Sequence, residues 1–198
     1  MSVFDSLDWS DVRQHYGYQM GVHRGLIEFH QRKSVADFAN LALGITDAFG
    51  NCSANQHGLG PKILETNRNA ARQVFDLAGR FLALKNASRV PELIRNANVS
   101  NLQIGVGSEI SCMVNPKVCW VVNARTIWTH LVFEHDENLA KAEEALRLYR
   151  EGDSTSAMYY PNWSAIHAVL GPSLLQVAKS GRMRTIAGGV TPGNFTYL

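Results

Sequence analysis

Arg125 and His130 lie five residues apart in the mostly apolar run VCWVVNARTIWTHLVFE, residues 118–134. A guanidinium can hold a phosphate's growing charge through two parallel hydrogen bonds. An imidazole of near-neutral pKa can take a proton from a ribose 2′-hydroxyl or give one to a leaving oxygen. The pair is therefore a candidate for phosphodiester cleavage that needs no metal. Five positions on a helix rotate the second side chain about 140° from the first, so the two flank a ridge and converge only on something lying across it. A partner helix or a second subunit would have to complete the pocket. Thr126, His130 and Glu134 share one line at i, i+4 and i+8, which makes Thr126 the candidate orienting group. The competing structural reading is that Arg125 bridges to another helix and His130 is an ordinary satisfied polar group.

The elements that must position this pair read as helices. Asp8 or Ser10 can cap a first helix to about Lys33, and Ser34 a second ending near Phe49 at Gly50, followed by a loop over 50–60. Pro61 suits the first turn of a long helix to about Asn86, and Pro91 that of a shorter one, Val90 to Ala97. Residues 101–114 fit a helical stripe better than a strand. Asn115-Pro116 then reads as cap and first turn of the buried helix, taken as Val118 to Glu134. Leu139 to Tyr149 is amphipathic and closes at Gly152. Pro161 opens a helix to Leu170, Gly171-Pro172 interrupts it, and Ser173 to Ser180 ends at Gly181. The expected architecture is all-α: one compact bundle of about seven helices over residues 1–184, with a Gly/Pro-rich arm over 185–198.

Composition narrows the function classes. The chain has 198 residues, 45% hydrophobic and 18% charged, with a net charge of +2, which is ordinary for a globular domain. Cys52, Cys112 and Cys119 are odd in number and contain no CxxC pair, against both a disulfide framework and a structural zinc site. Acidic residues stand where a signal peptide needs basic ones, and no window approaches 18 uninterrupted apolar residues. The expectation is a cytoplasmic protein without a membrane span. Residues 61–105 are the basic part, with seven Lys/Arg against three Asp/Glu. Within that segment Arg68, Arg72 and Arg80 are the candidate contacts to a nucleic-acid backbone, although a solvated helix surface explains the same residues.

Three further patterns bear on partners. Gly17, Gly21 and Gly25 bare one side of the first helix, which suits close approach of another helix, across a dimer interface or within the chain. His23, Glu28 and His30, and the run Glu134-His135-Asp136-Glu137, raise a carboxylate-bridged metal site. A di-iron bundle needs Glu-x-x-His repeats and the sequence has none, so no metal and no cofactor are expected. Trp120 and Trp128 read as core, whereas Tyr159, Tyr160 and Trp163 around Pro161 are the better candidates for an exposed patch that stacks on bases, with core the default reading for these as well.

The R-x4-H pattern, Arg125-Thr-Ile-Trp-Thr-His130, falls late in an all-helical domain and precedes a second amphipathic helix. It resembles the HEPN superfamily of helical ribonucleases of toxin–antitoxin, abortive-infection and other phage-defence systems. The resemblance covers about residues 61–152. It implies a homodimer in which two such helices form one composite, metal-independent site cleaving single-stranded RNA, with His130 as general acid/base and Arg125 as phosphate clamp. Thr126 stands where that family often has Asn, Asp or His. The alternative from another class is a non-catalytic helical subunit that binds nucleic acid or protein within a larger assembly.

Overall fold

Gly44, with φ +70°, shows how local chemistry sets element lengths in this chain. The first helix, α1, runs Trp9–Gln31, and the second, α2, stops at Val35–Ala42. Ile45 N–H donates to Asn40 O at 2.8 Å and Gly44 N–H to Leu41 O at 3.0 Å, which is the paired closure of a Schellman motif. A Cβ on Gly44 would also lie 2.6 Å from that of Cys52, so only glycine fits the stop. The expected end near Phe49 is therefore too late.

The computed structural model describes residues 9–47, 52–65, 68–150 and 160–179. After α2 come the single-turn α3 (Ser53–Gln56), α4 (Leu59–Glu65), α5 (Ala70–Leu82), a 3-10 turn (Ala87–Arg89), α6 (Val90–Ala97), α7 (Ile104–Val114), α8 (Ala124–Glu134), α9 (Leu139–Arg150) and α10 (Tyr160–Lys179). The all-α class holds, with no strand among the described residues. Among the described residues, nine helices of seven residues or more replace the expected seven or so. The arm over 185–198 lies outside the described residues.

At the centre lies α7, buried at every residue from Val106 to Val114, the polar Ser108, Glu109 and Ser111 included. It packs against α1, α5 and α6. Gly107 permits the α6 contact, since a Cβ there would come within 2.7 Å of Ile94 Cγ1. On one flank α2 sits between α1 and α5; on the other α8 packs on α9, and α10 on α8 and α6.

Four further expectations need correction. The segment read as loop 50–60 contains α3 and the start of α4. The long helix from Pro61 is two helices, α4 and α5, with Arg68 and Asn69 in a turn ahead of α5. Asn115 does not cap the next helix but ends α7, its Nδ2 donating to Phe81 O at 3.1 Å and Leu84 O at 3.2 Å, one carbonyl in the last turn of α5 and one just beyond it. Finally, α10 runs unbroken through Gly171-Pro172. Proline inside a helix costs about 3 kcal/mol; burial of Leu170 and Leu174 on either side offsets it.

Candidate functional site

The helix that carries Arg125 and His130 begins at Ala124, six residues later than the apolar run suggests. Val121 and Val122 are β-branched and favour extended backbone, and Asn123 supplies a strong start signal. Its side chain accepts from Arg125 N and Thr126 N, both at 3.0 Å, while Thr126 Oγ1 accepts from Asn123 N at 3.0 Å. The result is a reciprocal capping box. The segment ahead of it is strapped down: Trp120 Nε1 donates to His167 O at 2.9 Å and Val122 N to Ser108 Oγ at 2.8 Å. Thr126 is 3% exposed, and its hydroxyl also donates to Val121 O at 3.0 Å. It shares a helix line with His130, but its hydrogen bonds serve the helix start.

Arg125 is exposed in the first turn of α8. Across from it, the half-buried His15 of α1 feels its charge: burial pushes the imidazole pKa down, Arg125 lowers it further, and Asp47 opposes both. His130 faces another neighbour. Its Nδ1 lies 3.0 Å from Ser173 Oγ on α10, and its Nε2 lies 3.3 Å from Glu134 Oε2. A carboxylate only accepts, so it favours the proton on Nε2, leaving Nδ1 to accept from the Ser173 hydroxyl. Burial holds the His130 pKa below 6.5 despite the Glu134 carboxylate, with His135 adding to the lowering. The neutral imidazole keeps 14% of its side-chain surface. Arg125 and His130 therefore engage different helices, as their rotation of about 140° requires.

The other sequence candidates separate cleanly. Arg68, Arg72 and Arg80 are all exposed. Arg72 pairs with Asp76 at 3.0 Å and lies 5.7 Å above the Phe75 ring, and Arg80 follows it on α5 two turns on, about 80° round the helix. Gly25 meets Leu41 Cδ2 at 3.0 Å, whereas nothing within 4 Å opposes Gly17 or Gly21. His23 Nδ1 is 2.7 Å from Met113 O, Glu28 pairs with Arg32 at 2.7 Å, and His30 stacks on Phe75 with centroids 4.6 Å apart. Among the described residues no three His, Cys, Asp or Glu side chains gather as metal ligands would. Trp163 is buried, which fits the default core reading and removes it from an exposed patch; Tyr159 lies outside the described residues. The three cysteines are buried and none is in a disulfide. Burial pushes Cys119 up to about 12 and raises Cys52 as well, with Glu109 adding to the latter, so at neutral pH these two thiols are protonated and unreactive. No helix among the described residues is long and apolar enough to cross a membrane.

The chain matches no protein-family model, no curated protein and no solved structure. Two imidazoles escaped the sequence reading. His15 carries no local motif, and only the meeting of α1 with the start of α8 gives it meaning. His167 sits in an apolar helical stretch like any core residue, and Trp120 stacked on it, with centroids 4.5 Å apart, comes from 47 residues away in sequence.

Proposed function

We propose that the chain is an endoribonuclease acting on single-stranded RNA without a metal, at the surface formed by the start of α8. The observation that carries this reading is an exposed guanidinium, Arg125, whose charge reaches the half-buried imidazole of His15 beside the Asp47 carboxylate. Arg125 grips the phosphodiester. A neutral imidazole removes the 2′-hydroxyl proton, the 2′-oxygen attacks phosphorus, and the leaving 5′-oxygen takes up a proton, giving a 2′,3′-cyclic phosphate and a 5′-hydroxyl. His130 is the acid/base assigned by the R-x4-H pattern, and it enters the groove when two copies of α8 face each other. His15 is the imidazole within one chain. A toxin or phage-defence setting rests on the resemblance to HEPN proteins alone.

Cleavage of a labelled single-stranded RNA in EDTA tests the reading. Arg125→Ala is expected to lower the rate about 100-fold, the size of effect seen when one transition-state donor is removed. His15→Ala and His130→Ala assign the proton transfers. Wild-type rates in all three variants would remove the proposal.

A second reading is favoured by one observation: both His130 nitrogens and the Thr126 hydroxyl face partners within the fold. The chain is then a non-catalytic helical subunit that binds nucleic acid or protein through the exposed Arg68, Arg72 and Arg80. Binding without cleavage, steeply weakened by salt and by Arg68→Ala with Arg72→Ala, is its signature.

A further inference from the structure

Where the 3-10 turn, the strap ahead of α8 and the middle of α10 meet, the surface opens into a cleft of about 700 Å³. None of its lining residues belongs to the Arg125 surface. Its walls have two characters. Lys85 and Lys117, both exposed, bring two positive charges, and Trp120 and Pro172 offer apolar surface. His167 forms part of the lining and is only 1% exposed, yet its Nε2 has no hydrogen-bond partner. Buried polar atoms are almost always bonded, so this nitrogen is an exception that calls for an explanation.

Packing accounts for the position of the ring but not for its unpartnered atom. The imidazole lies nearly parallel to the Trp120 indole, at 23°. The indole Nε1 donates to the His167 carbonyl at 2.9 Å, so Trp120 satisfies the His167 backbone and leaves its side chain unserved. Burial pushes the imidazole pKa down to about 4, and a neutral ring offers a directional hydrogen bond rather than a charge. At 1% exposure the atom is closed to bulk water. A molecule seated in the cleft that His167 lines can supply the partner. Such a molecule also meets two ammonium groups and an aromatic edge.

We propose that the cleft binds a small planar heteroaromatic anion with the size and chemistry of a nucleoside monophosphate. The anionic group lies between Lys85 and Lys117, the ring packs against Trp120 and Pro172, and a ring heteroatom bonds His167 Nε2. This assignment does not rest on RNA cleavage at Arg125, and Arg125→Ala leaves it untouched.

Adenosine monophosphate, uridine monophosphate, adenosine and inorganic phosphate are titrated in turn into the full chain, following tryptophan fluorescence and the imidazole nitrogen resonances by NMR. A nucleoside monophosphate should saturate both signals below millimolar concentration. Lys85→Ala combined with Lys117→Ala should weaken it about tenfold or more, the equivalent of losing one good charged contact. His167→Gln should weaken it while the helical circular dichroism is unchanged; if that variant does not fold, the exposed lysine pair alone decides. The proposal fails if none of the probes saturates at millimolar concentration, or if the lysine pair is without effect. Inorganic phosphate binding as tightly as the nucleotides would overturn the planar body of the ligand. Adenosine binding as tightly as its monophosphate would overturn the role of the lysines.

Discussion

His130 on α8 and His167 on α10 are both withdrawn from water, and they differ in what they meet there. His130 finds a hydroxyl on one nitrogen and a carboxylate on the other. His167 finds an indole face and no partner for Nε2. The depth of burial follows the same order, since the first keeps 14% of its side-chain surface and the second 1% of its total. A histidine given polar partners can sit at the edge of a helix interface at little cost, because its hydrogen bonds replace those lost with water. A histidine placed by packing alone carries its desolvation in full, and its pKa records it: His167 is pushed down to about 4, from an ordinary value of 6.5.

The largest consequence is a pH dependence that belongs mainly to one residue. The folded chain binds a proton on His167 less readily than the unfolded chain, so stability rises with pH wherever the unfolded state holds the extra proton. That window runs from about 4 to 6.5. The contribution is fully present above pH 6.5, is lost as pH falls towards 4, and amounts to roughly 3 kcal/mol over 2.5 pH units. His15 and His130 are lowered in the same direction and steepen the slope. Chemical denaturation at stepped pH should show most of the slope gone in His167→Gln and only a minor part gone in His130→Gln. Equal effects of the two would break the comparison.

Gly171 sharpens it next. A Cβ at that position would lie 2.5 Å from Trp120 Cζ2, so the indole that covers His167 is seated against bare helix backbone. Gly171→Ala should destabilise by about 2 kcal/mol through overpacking, against the usual gain from removing a helical glycine. It should also displace Trp120, seen as a shift in tryptophan emission. A neutral or stabilising result would mean that the indole is not held there.

Much of this fold was legible in the residues, for identifiable reasons. Proline placement announced α6, with Pro91 in its first turn, and the amphipathic stripe from Leu139 announced α9. Legibility failed where a tertiary contact decided. Gly171-Pro172 reads as a break, yet the indole fills the space left by the glycine and buried leucines carry α10 through the proline. The run from Val118 reads as helix by apolarity, yet the Asn123–Thr126 capping box and the bonds to Ser108 and His167 hold residues 119–122 outside it. The site divides in the same way. Arg125 and His130 were visible as a spacing, but which helix each engages was not, because α1 and α10 approach α8 from positions over 40 residues away in sequence.

The smallest effect bears on the better satisfied histidine. Ser173→Ala removes the hydroxyl facing His130 Nδ1 and should cost about 1 kcal/mol, the usual net worth of one hydrogen bond. It also leaves Nδ1 as a free acceptor while Glu134 still favours the proton on Nε2. If His130 is the general base, a freed Nδ1 makes it more available, and RNA cleavage should be kept or rise despite the lost stability. If His15 carries the proton transfer instead, the rate should follow the small loss of folded protein and nothing more. A rate that falls well beyond the fraction unfolded would mean that the Ser173 hydroxyl itself positions the reacting imidazole, and the contrast between a satisfied histidine and an orphaned one would then be functional as well as structural.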